Sequence, residues 1–163
     1  MKLDKLRRRK NKTDYRTRLE LLKSGMPRIV VRKTNKYIIL QYIKSNEAVD
    51  KVVYGTSSKD LLKLGWSNES SGSLKSIPAC YLTGYYLGKK ITEKEKNVNV
   101  IFDIGLARNI SGSRLYASLK GLVDSGLKIK HSEAVFPDKD RIEGKHLSKN
   151  VQKNFEEVKS KLK

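Results

Sequence analysis

Residues 28–54 read RIVVRKTNKYIILQYIKSNEAVDKVVY, in which three runs of β-branched and aromatic residues are separated by two polar breaks. The runs at 28–33, 36–43 and 48–54 are typical of strands, and the breaks at 34–35 and 45–47 are typical of tight turns. Strands joined by turns this short pair with their neighbours in the chain, so we expect an antiparallel meander. The fold is therefore predicted to be organised around a sheet.

The segment after the meander has a helical pattern. Residues 56–64 predict a short helix that uses one of the hydroxyl residues at 56–58 as its N-cap, and residues 67–73 predict a polar surface loop. The apolar stretch 74–93 predicts a longer helix. Gly84 and Gly88 lie on one face of that helix, where they would permit a close approach to the sheet.

Two further strands are predicted beyond this helix. Residues 97–103 form a run rich in β-branched residues, and residues 127–130 (LKIK) could form a short last strand. The segment from Ser113 to Ser125 between them predicts a capped helix. A helix that crosses between strands of one sheet makes those strands parallel. The tail at 147–163 predicts a helix with an apolar stripe. This stripe could pack either on the core of this chain or on a neighbouring molecule.

These elements predict an α/β protein with a mixed five-stranded sheet, in which an antiparallel meander is extended by parallel strands and flanked by helices. We expect three parts in the chain of 163 residues. Residues 1–26 form a basic arm, residues 27–137 form the α/β core domain, and residues 138–163 form a C-terminal helical extension.

Positive charge is concentrated at the N-terminus. Residues 1–36 carry 14 Lys or Arg against three acids, so they hold +11 of the net charge of +19. Charge of this density repels itself unless an anion neutralises it, and nucleic acid backbones offer the densest fixed negative charge. Leu3 and Leu6, like Leu19 and Leu22, have the spacing of one helical face. We therefore expect a helix-prone arm that orders on RNA, although a disordered or solvated basic tail has the same composition.

Composition argues against several other classes of protein. The chain has no run of about 18 apolar residues, and no apolar segment follows the N-terminal charges, so neither a membrane span nor a secretory signal is expected. Cys80 is the single cysteine, which excludes an intrachain disulfide. It lies in an apolar run and is predicted to be a small buried side chain of an intracellular protein.

Candidates for catalysis are few. His131 and His146 have no identifiable catalytic partners, and His131 is interpreted as a residue that ends a strand. The chain contains no Gly-rich phosphate-binding motif. The Ser-Gly-Ser sequence at 111–113 could present backbone N–H groups to an RNA phosphate, or it could be an ordinary helix cap before Arg114.

The order of meander, helix and strand is also the plan of ribonuclease-H-like nucleases, which resemble one another in placing carboxylates on the first and fourth strands to hold two metal ions. Here the first strand carries three cations and no acid, and Asp103 stands alone at the end of the fourth. A two-metal site is therefore not expected. Asp103 is predicted to bond to the backbone or to an arginine such as Arg108. A metal-dependent nuclease and a basic DNA-compacting protein remain the alternative functions.

Eight segments, in order and over nearly the whole chain, match a known family. They are residues 12–25 (KTDYRTRLELLKSG), 27–37 (PRIVVRKTNKY), 64–66 (LGW), 77–84 (IPACYLTG), 103–106 (DIGL), 112–121 (GSRLYASLKG), 131–137 (HSEAVFP) and 140–144 (DRIEG). With these segments the chain resembles archaeal large-subunit ribosomal protein number eighteen, the universal L-eighteen family. The resemblance implies a ribonuclease-H-like core without nuclease activity, no cofactor, no small-molecule substrate, and a place in the cytoplasm on the large ribosomal subunit.

The resemblance also implies RNA partners. These are 5S rRNA and 23S rRNA in the central protuberance, close to the large-subunit ribosomal protein numbered five and other proteins of that region. Together with the charge pattern, it assigns RNA contacts to the arm, to the first strand and its turn, and to the loop before the second long helix: Arg7, Arg8, Arg9, Lys10, Lys12, Tyr15, Arg16, Arg18, Arg28, Arg32, Lys33, Thr34, Asn35, Lys36, Arg108, Ser113 and Arg114. The cations are predicted to contact phosphates, and Tyr15 is predicted to stack on a base.

Overall fold

The computed structural model describes residues 5–67, 74–95 and 97–162, and within them the chain forms a five-stranded sheet. The strands are β1 (Arg28–Lys33), β2 (Ile38–Asn46), β3 (Val49–Ser57), β4 (Asn99–Asp103) and β5 (Lys128–Ile129). Their spatial order is β3-β2-β1-β4-β5, with antiparallel pairing among the first three and parallel pairing of β1 with β4 and of β4 with β5. The predicted α/β class with a mixed sheet is confirmed, and the order is compatible with the ribonuclease-H-like plan.

Seven α-helices accompany the sheet in the described part of the chain: α1 (Leu6–Arg9), α2 (Tyr15–Lys23), α3 (Asp60–Lys63), α4 (Ile77–Lys94), α5 (Arg114–Asp124), α6 (Lys139–Glu143) and α7 (Lys149–Leu162). As predicted, α4 connects the meander to β4, and α5 connects β4 to β5. The polar loop predicted at 67–73 lies, except for Ser67, outside the described residues. Among the described helices, none combines the length and the apolar character needed to cross a bilayer.

The second hairpin turns further along the chain than the sequence predicts. β2 continues up to a turn formed by Glu47 and Ala48, which both have positive φ angles, of 47° and 66°. Such a turn matches the twist of the strands, but it lacks the Asn or Gly that would have identified it. β3 then pairs with β2 as far as Ser57, so the predicted N-caps at 56–58 belong to the strand and the turn after it. Helix α3 is therefore short, and Asp60 accepts a 2.8 Å hydrogen bond from the N–H of Ser57.

The core lies between one face of the sheet and the helices that cross it. Ile29 and Val31 of β1 and Leu40 of β2 are fully buried there, together with Leu82 of α4. Cys80 is buried in the same cluster, as predicted, and burial raises the pKa of its thiol to about 12. The apolar runs that identified the strands in the sequence are thus the residues that form the core.

Helices α4 and α5 touch backbone to backbone. A Cβ on Gly84 would overlap the carbonyl oxygen of Ser118, and a Cβ on Gly121 would overlap the carbonyl oxygen of Tyr81. The close approach predicted for Gly84 and Gly88 is therefore present, but its partner is α5 and not the sheet. The sequence-based expectation was wrong on this point because the small residues on α4 are matched by a second set on α5, which lets the two helices come together.

The C-terminal helix packs on the core of its own chain. On α7, Phe155 and Val158 are buried, and the Phe155 ring lies 5.9 Å from the ring of Tyr81 on α4. Near its end, Lys161 Nζ donates a 3.1 Å hydrogen bond to the carbonyl oxygen of Leu64. The apolar stripe predicted for the tail thus has an intramolecular partner. The division of the chain after residues 26 and 137 stays a prediction, because packing in the folded state does not show which segments fold alone.

Candidate nucleic-acid interface

A groove of about 960 Å³ opens where β1 and β4 end side by side. Parallel strands in an open α/β sheet commonly place a binding crevice at their carboxyl ends. The walls come from the arm, the end of β1, the loop at 104–113, the first residues of α4 and α5, and the segment at 141–147. Elements that are far apart in the sequence therefore meet at one edge of the sheet.

The groove is strongly basic. Nine Lys or Arg side chains line it against two Asp, a formal net charge of +7 with the histidine neutral, and the nine are Arg7, Lys12, Arg18, Arg28, Arg32, Lys33, Arg108, Arg114 and Arg141. The first residues of α4 and α5 also line it, so the positive ends of two helix dipoles face the same space. The field in the groove therefore favours an anion.

Arg32 is fixed on the floor of the groove by Asp103. Its Nη1 donates to the carbonyl oxygens of Val31 at 2.7 Å and of Asp103 at 3.3 Å, and its Nη2 lies 3.8 Å from the Asp103 carboxylate. The same carboxylate accepts a 2.7 Å hydrogen bond from the N–H of Gly105. Asp103 thus bonds to the backbone and to an arginine, as predicted, but the arginine is Arg32 and not Arg108.

Gly105 lies directly beside this pair, with a left-handed backbone conformation that favours glycine. Its φ angle is +62°, and a Cβ there would lie 2.9 Å from the Arg32 guanidinium. No cluster of three or more His, Cys, Asp or Glu side chains suited to a metal ion occurs among residues 5–67, 74–95 and 97–162. The acids that a two-metal nuclease would need at this edge are replaced by a cation and the single carboxylate that orients it.

The arm lies along the groove as two short helices. Asp14 caps α2 by accepting hydrogen bonds from the N–H groups of Arg16 at 3.0 Å and Thr17 at 3.4 Å and from the Thr17 hydroxyl at 2.6 Å. The hydroxyl bond of Thr17, followed by these backbone N–H bonds, lowers the pKa of the Asp14 carboxyl. Arg7 Nε of α1 donates to the Thr13 hydroxyl, just before α2, at 2.8 Å.

Most predicted cations of the arm point outward. The exposed ones are Arg8, Arg9, Lys10 and Arg16, whereas Arg7 and Lys12 also face the groove. Tyr15 is half-buried beside a hollow of about 310 Å³ that Arg8, Arg16 and Leu106 help to line. Lys5 Nζ lies 4.8 Å from the centroid of the Tyr15 ring. A cation and an apolar side chain therefore already flank the ring that is predicted to stack on a base.

The turn after β1 is closed by Thr34. Its N–H and its hydroxyl both donate to the carbonyl oxygen of Tyr37, at 2.9 Å and 2.7 Å, and its hydroxyl accepts from the N–H of Tyr37 at 3.0 Å. Asn35 and Lys36 are exposed at the tip of this turn, and Lys33 faces the groove. The polar side chain of Thr34 thus shapes the turn that presents its neighbours.

Two predicted arginines pair with a carboxylate of the same chain. The Arg28 side chain is 4% exposed, and its Nη2 lies 2.6 Å from Asp50 Oδ2. Arg18 of α2 contacts the same oxygen at 3.0 Å. Almost no surface of Arg28 reaches solvent, so its guanidinium offers little to a phosphate although the residue borders the groove.

The loop before α5 holds the remaining predicted residues. Ser113 occupies the N-cap position, but its hydroxyl makes no capping bond and, within the described residues, is buried without a hydrogen-bond partner. Arg108 and Arg114 are exposed and face the groove. Leu106 and Ile110 are exposed in the same loop. These two apolar residues were not identified from the sequence, although two large apolar residues in a Gly- and Ser-containing loop are a usable signal.

Arg141 and His146 also line the groove and were not identified from the sequence. No local pattern marks them. They follow the 3₁₀ turn Glu133–Val135, and α7 after them packs on α4. Their place in the groove thus depends on tertiary packing of segments far apart in the chain.

Comparison with known proteins gives the family. The sequence model of the family described as "Ribosomal large subunit proteins 60S L5, and 50S L18" matches residues 1–97 and 89–132. The chain is 46% identical over 151 residues to the large ribosomal subunit protein uL18 of Korarchaeum cryptofilum, which covers 93% of this chain and 75% of that protein. It is 41% identical over 151 residues to uL18 of Methanothermobacter thermautotrophicus, covering 93% and 76%.

A third relative extends over nearly all of both chains. It is uL18 of Methanoregula boonei, 37% identical over 163 residues, with 96% of this chain and 91% of that protein covered. These relatives are ribosomal structural proteins, so the nuclease considered from the sequence is set aside. The resemblance seen in the sequence is confirmed, and the chain belongs to the family of ribosomal large-subunit proteins 60S L5 and 50S L18.

Proposed function

We propose that this constituent of the large ribosomal subunit binds 5S rRNA and attaches it to 23S rRNA in the central protuberance, beside the ribosomal protein numbered five. One observation carries the proposal. Cations from the arm, the end of β1, the loop before α5 and the segment after the 3₁₀ turn converge on a single groove, whose formal net charge is +6 even without the buried Arg28. RNA backbone is the partner whose charge density matches such a surface.

The groove offers two kinds of contact. Arg108, Arg114 and Lys33 are exposed and can each donate to phosphate oxygens, which fixes the position of the RNA without reading its sequence. Leu106 lines both the groove and the neighbouring smaller hollow, and Tyr15 lines that hollow together with Arg8 and Arg16, so apolar and aromatic surface lies beside the charges. Unpaired bases in the loops and bulges of a folded RNA pack on such surfaces, whereas a regular duplex keeps its bases stacked inside. The mixture therefore favours a folded RNA over duplex DNA.

The test is binding of the full chain to 5S rRNA over a range of salt concentrations. If about 6–10 phosphates are neutralised, the affinity should fall by roughly 10³–10⁵ between 50 and 200 mM salt. Replacement of Lys33, Arg108 and Arg114 by Gln should lower the salt slope by about 0.9 for each phosphate that the variant no longer neutralises. A flat salt response of the unmodified chain would contradict the proposal.

A control variant separates the groove from overall charge. Lys128, Lys130 and Lys153 are exposed and do not line the groove, so their replacement by Gln removes the same charge from other surfaces. The proposal expects a clearly smaller loss of 5S rRNA affinity in this variant than in the groove variant. Equal losses would mean that only net charge matters.

Competition tests the identity of the nucleic acid. At matched salt, unrelated duplex DNA should compete poorly with 5S rRNA, and equal competition would instead support a DNA-compacting protein. The attachment step is tested by asking whether the chain bound to 5S rRNA captures a fragment of 23S rRNA, with and without the ribosomal protein numbered five. If the chain binds 5S rRNA but does not capture the 23S rRNA fragment, the proposed binding is retained and the proposed attachment is refuted.

A further inference from the structure

One carboxylate joins three separate parts of the molecule. Asp50, the second residue of β3, contacts Arg28 of β1 at 2.6 Å and Arg18 of α2 at 3.0 Å, both through Oδ2. Its other oxygen, Oδ1, accepts a 2.7 Å hydrogen bond from the hydroxyl of Ser45 on β2. Arg18 Nη2 also lies 3.5 Å from the carbonyl oxygen of Ala48 in the turn. The arm helix, the central strand and the second hairpin therefore meet at Asp50.

The core fixes Asp50 in place. The Arg28 side chain is 4% exposed, so its charge is almost completely removed from water and needs the carboxylate. Burial of Asp50 works to raise the pKa of its carboxyl, but the hydrogen bonds from Ser45 and Arg18 and the charges of Arg28 and Arg18 outweigh it and lower the pKa. Asp50 thus remains an anion held at a defined position on the hairpin, where it can pair with a second cation.

Helix α2 needs such an anchor. It has nine residues, none of them buried, and an isolated helix shorter than about 12 residues is marginal in water. Within residues 5–67, 74–95 and 97–162, the other ion pair of α2 joins Arg16 to Glu20 at 3.7 Å within the helix, with side chains 91% and 70% exposed, and it does not reach the rest of the protein. The Arg18–Asp50 pair is less exposed, at 35% and 26%, and it connects residues 32 positions apart.

We propose that Asp50 is a positioning residue that holds α2 against the second hairpin in the free protein, through Arg18. The arm is then ordered before RNA arrives, and its cations Arg7 and Lys12 line the groove in advance. This concerns the free chain and goes beyond the proposed RNA partner. Its consequence for binding rests on the proposed function, because an arm that is already ordered does not have to lose that conformational freedom when RNA binds.

The test is amide hydrogen exchange of the full chain without RNA, comparing Arg18→Ala with Arg16→Ala. The two variants lose the same charge and gain the same helix-favouring residue in the same helix, but only Arg18 reaches the hairpin. We expect the amides at 18–24 to exchange roughly fivefold faster in Arg18→Ala. This factor corresponds to the upper end of the free energies that partly exposed ion pairs contribute. In Arg16→Ala it should stay within about twofold, and Arg18→Lys should restore part of the protection.

Three outcomes would overturn the proposal: no protection of α2 in the unmodified chain, no acceleration in Arg18→Ala, or equal acceleration in the two alanine variants. Exchange of β1 and α4 amides serves as the control for the core and should be the same in all variants. None of these readouts involves RNA. The positioning role of Asp50 can therefore be refuted while 5S rRNA binding is retained, and 5S rRNA binding can be refuted while the positioning role is retained.

Asp50→Asn links the anchor to RNA binding. Removal of a negative charge from a basic surface should strengthen RNA binding if electrostatic attraction alone matters. The positioning role predicts the opposite, a several-fold weaker affinity for 5S rRNA. The buried Arg28 also loses its carboxylate partner in this variant, which could unfold the protein. Circular dichroism is therefore used to verify that the variant is folded. Should Asp50→Asn not fold, the exchange comparison of Arg18→Ala with Arg16→Ala still decides the proposal.

Discussion

Replacement of Phe155 by Ala should show whether the C-terminal helix is part of the folded core. The Phe155 side chain is 2% exposed, belongs to the main core cluster and packs on the Tyr81 ring at 5.9 Å. Truncation of a buried Phe to Ala typically costs about 3–5 kcal/mol. A domain of this kind has a stability of roughly 5–15 kcal/mol, so the variant should lose a large fraction of it. For a chain of this length the loss corresponds to a decrease in Tm of roughly 6–20 °C.

The assay is urea unfolding followed by two signals. Circular dichroism reports on all helices, and the fluorescence of Trp66 reports on the segment that α7 reaches through the bond from Lys161 to Leu64. Trp66 is buried and is the single tryptophan. In Phe155→Ala the unfolding midpoints from both signals should move together to a lower urea concentration. Glu156→Ala, an exposed change on the same helix, should change the free energy of unfolding by less than about 0.5 kcal/mol.

Two results would refute this account of α7. A loss below about 1 kcal/mol would mean that the packing of Phe155 on α4 contributes little in solution. An early helical transition that leaves Trp66 fluorescence unchanged would mean that α7 melts on its own. The second result would support the expected division of the chain after residue 137.

Two other predictions concern the core. Gly84→Ala should destabilise the fold by about 1–3 kcal/mol or more in urea unfolding, because a Cβ overlaps the Ser118 carbonyl oxygen, whereas Gly55→Ala meets no atom closer than 4.0 Å and should have a much smaller effect. Burial, followed by hydrogen bonds from their hydroxyls to Glu95 and Asp124, raises the pKa values of Tyr42 and Tyr81 above the ordinary value of about 10. The stability that the neutral hydroxyls contribute is therefore complete below about pH 10 and is lost as pH rises towards the folded-state pKa. Absorbance at alkaline pH should accordingly show Tyr42 and Tyr81 ionising only on unfolding.

The sheet was predictable because its signal is local. The β-branched run at 28–33 coincides with β1, and the helix between the meander and the next strand implies the parallel pairing of β1 with β4. The turn at Glu47 and Ala48 was not predictable, since neither residue type commonly has a positive φ angle. The tight packing of α4 on α5 was anticipated only in part, because glycine spacing on one helix does not identify the element that approaches it.

The sequence identified the charged segments that form the candidate site, but it did not predict how they are arranged in space. The arm, the turn after β1 and the loop before α5 were each identified by their charges, and the structure brings members of all three into one groove. The buried position of Arg28 could not be foreseen, because its partner Asp50 lies 22 positions away and alternation in β1 gives no reason to bury a cation. Arg141 was missed for a similar reason, since its position depends on how distant segments pack.

The charges at one edge of the sheet fit the proposed binding of RNA better than its cleavage. A site for two metal ions at the ends of the first and fourth strands requires several carboxylates close together. Here the corresponding positions of β1 and β4 carry Arg32 and Asp103, and the carboxylate is occupied by the guanidinium and by the N–H of Gly105. The first residues of α4 and α5 face the same space and add their positive dipole ends. Because Arg32 stands where a two-metal site would need an acid, the proposed function implies that this edge would meet an RNA phosphate with a guanidinium and not with a bridging cation.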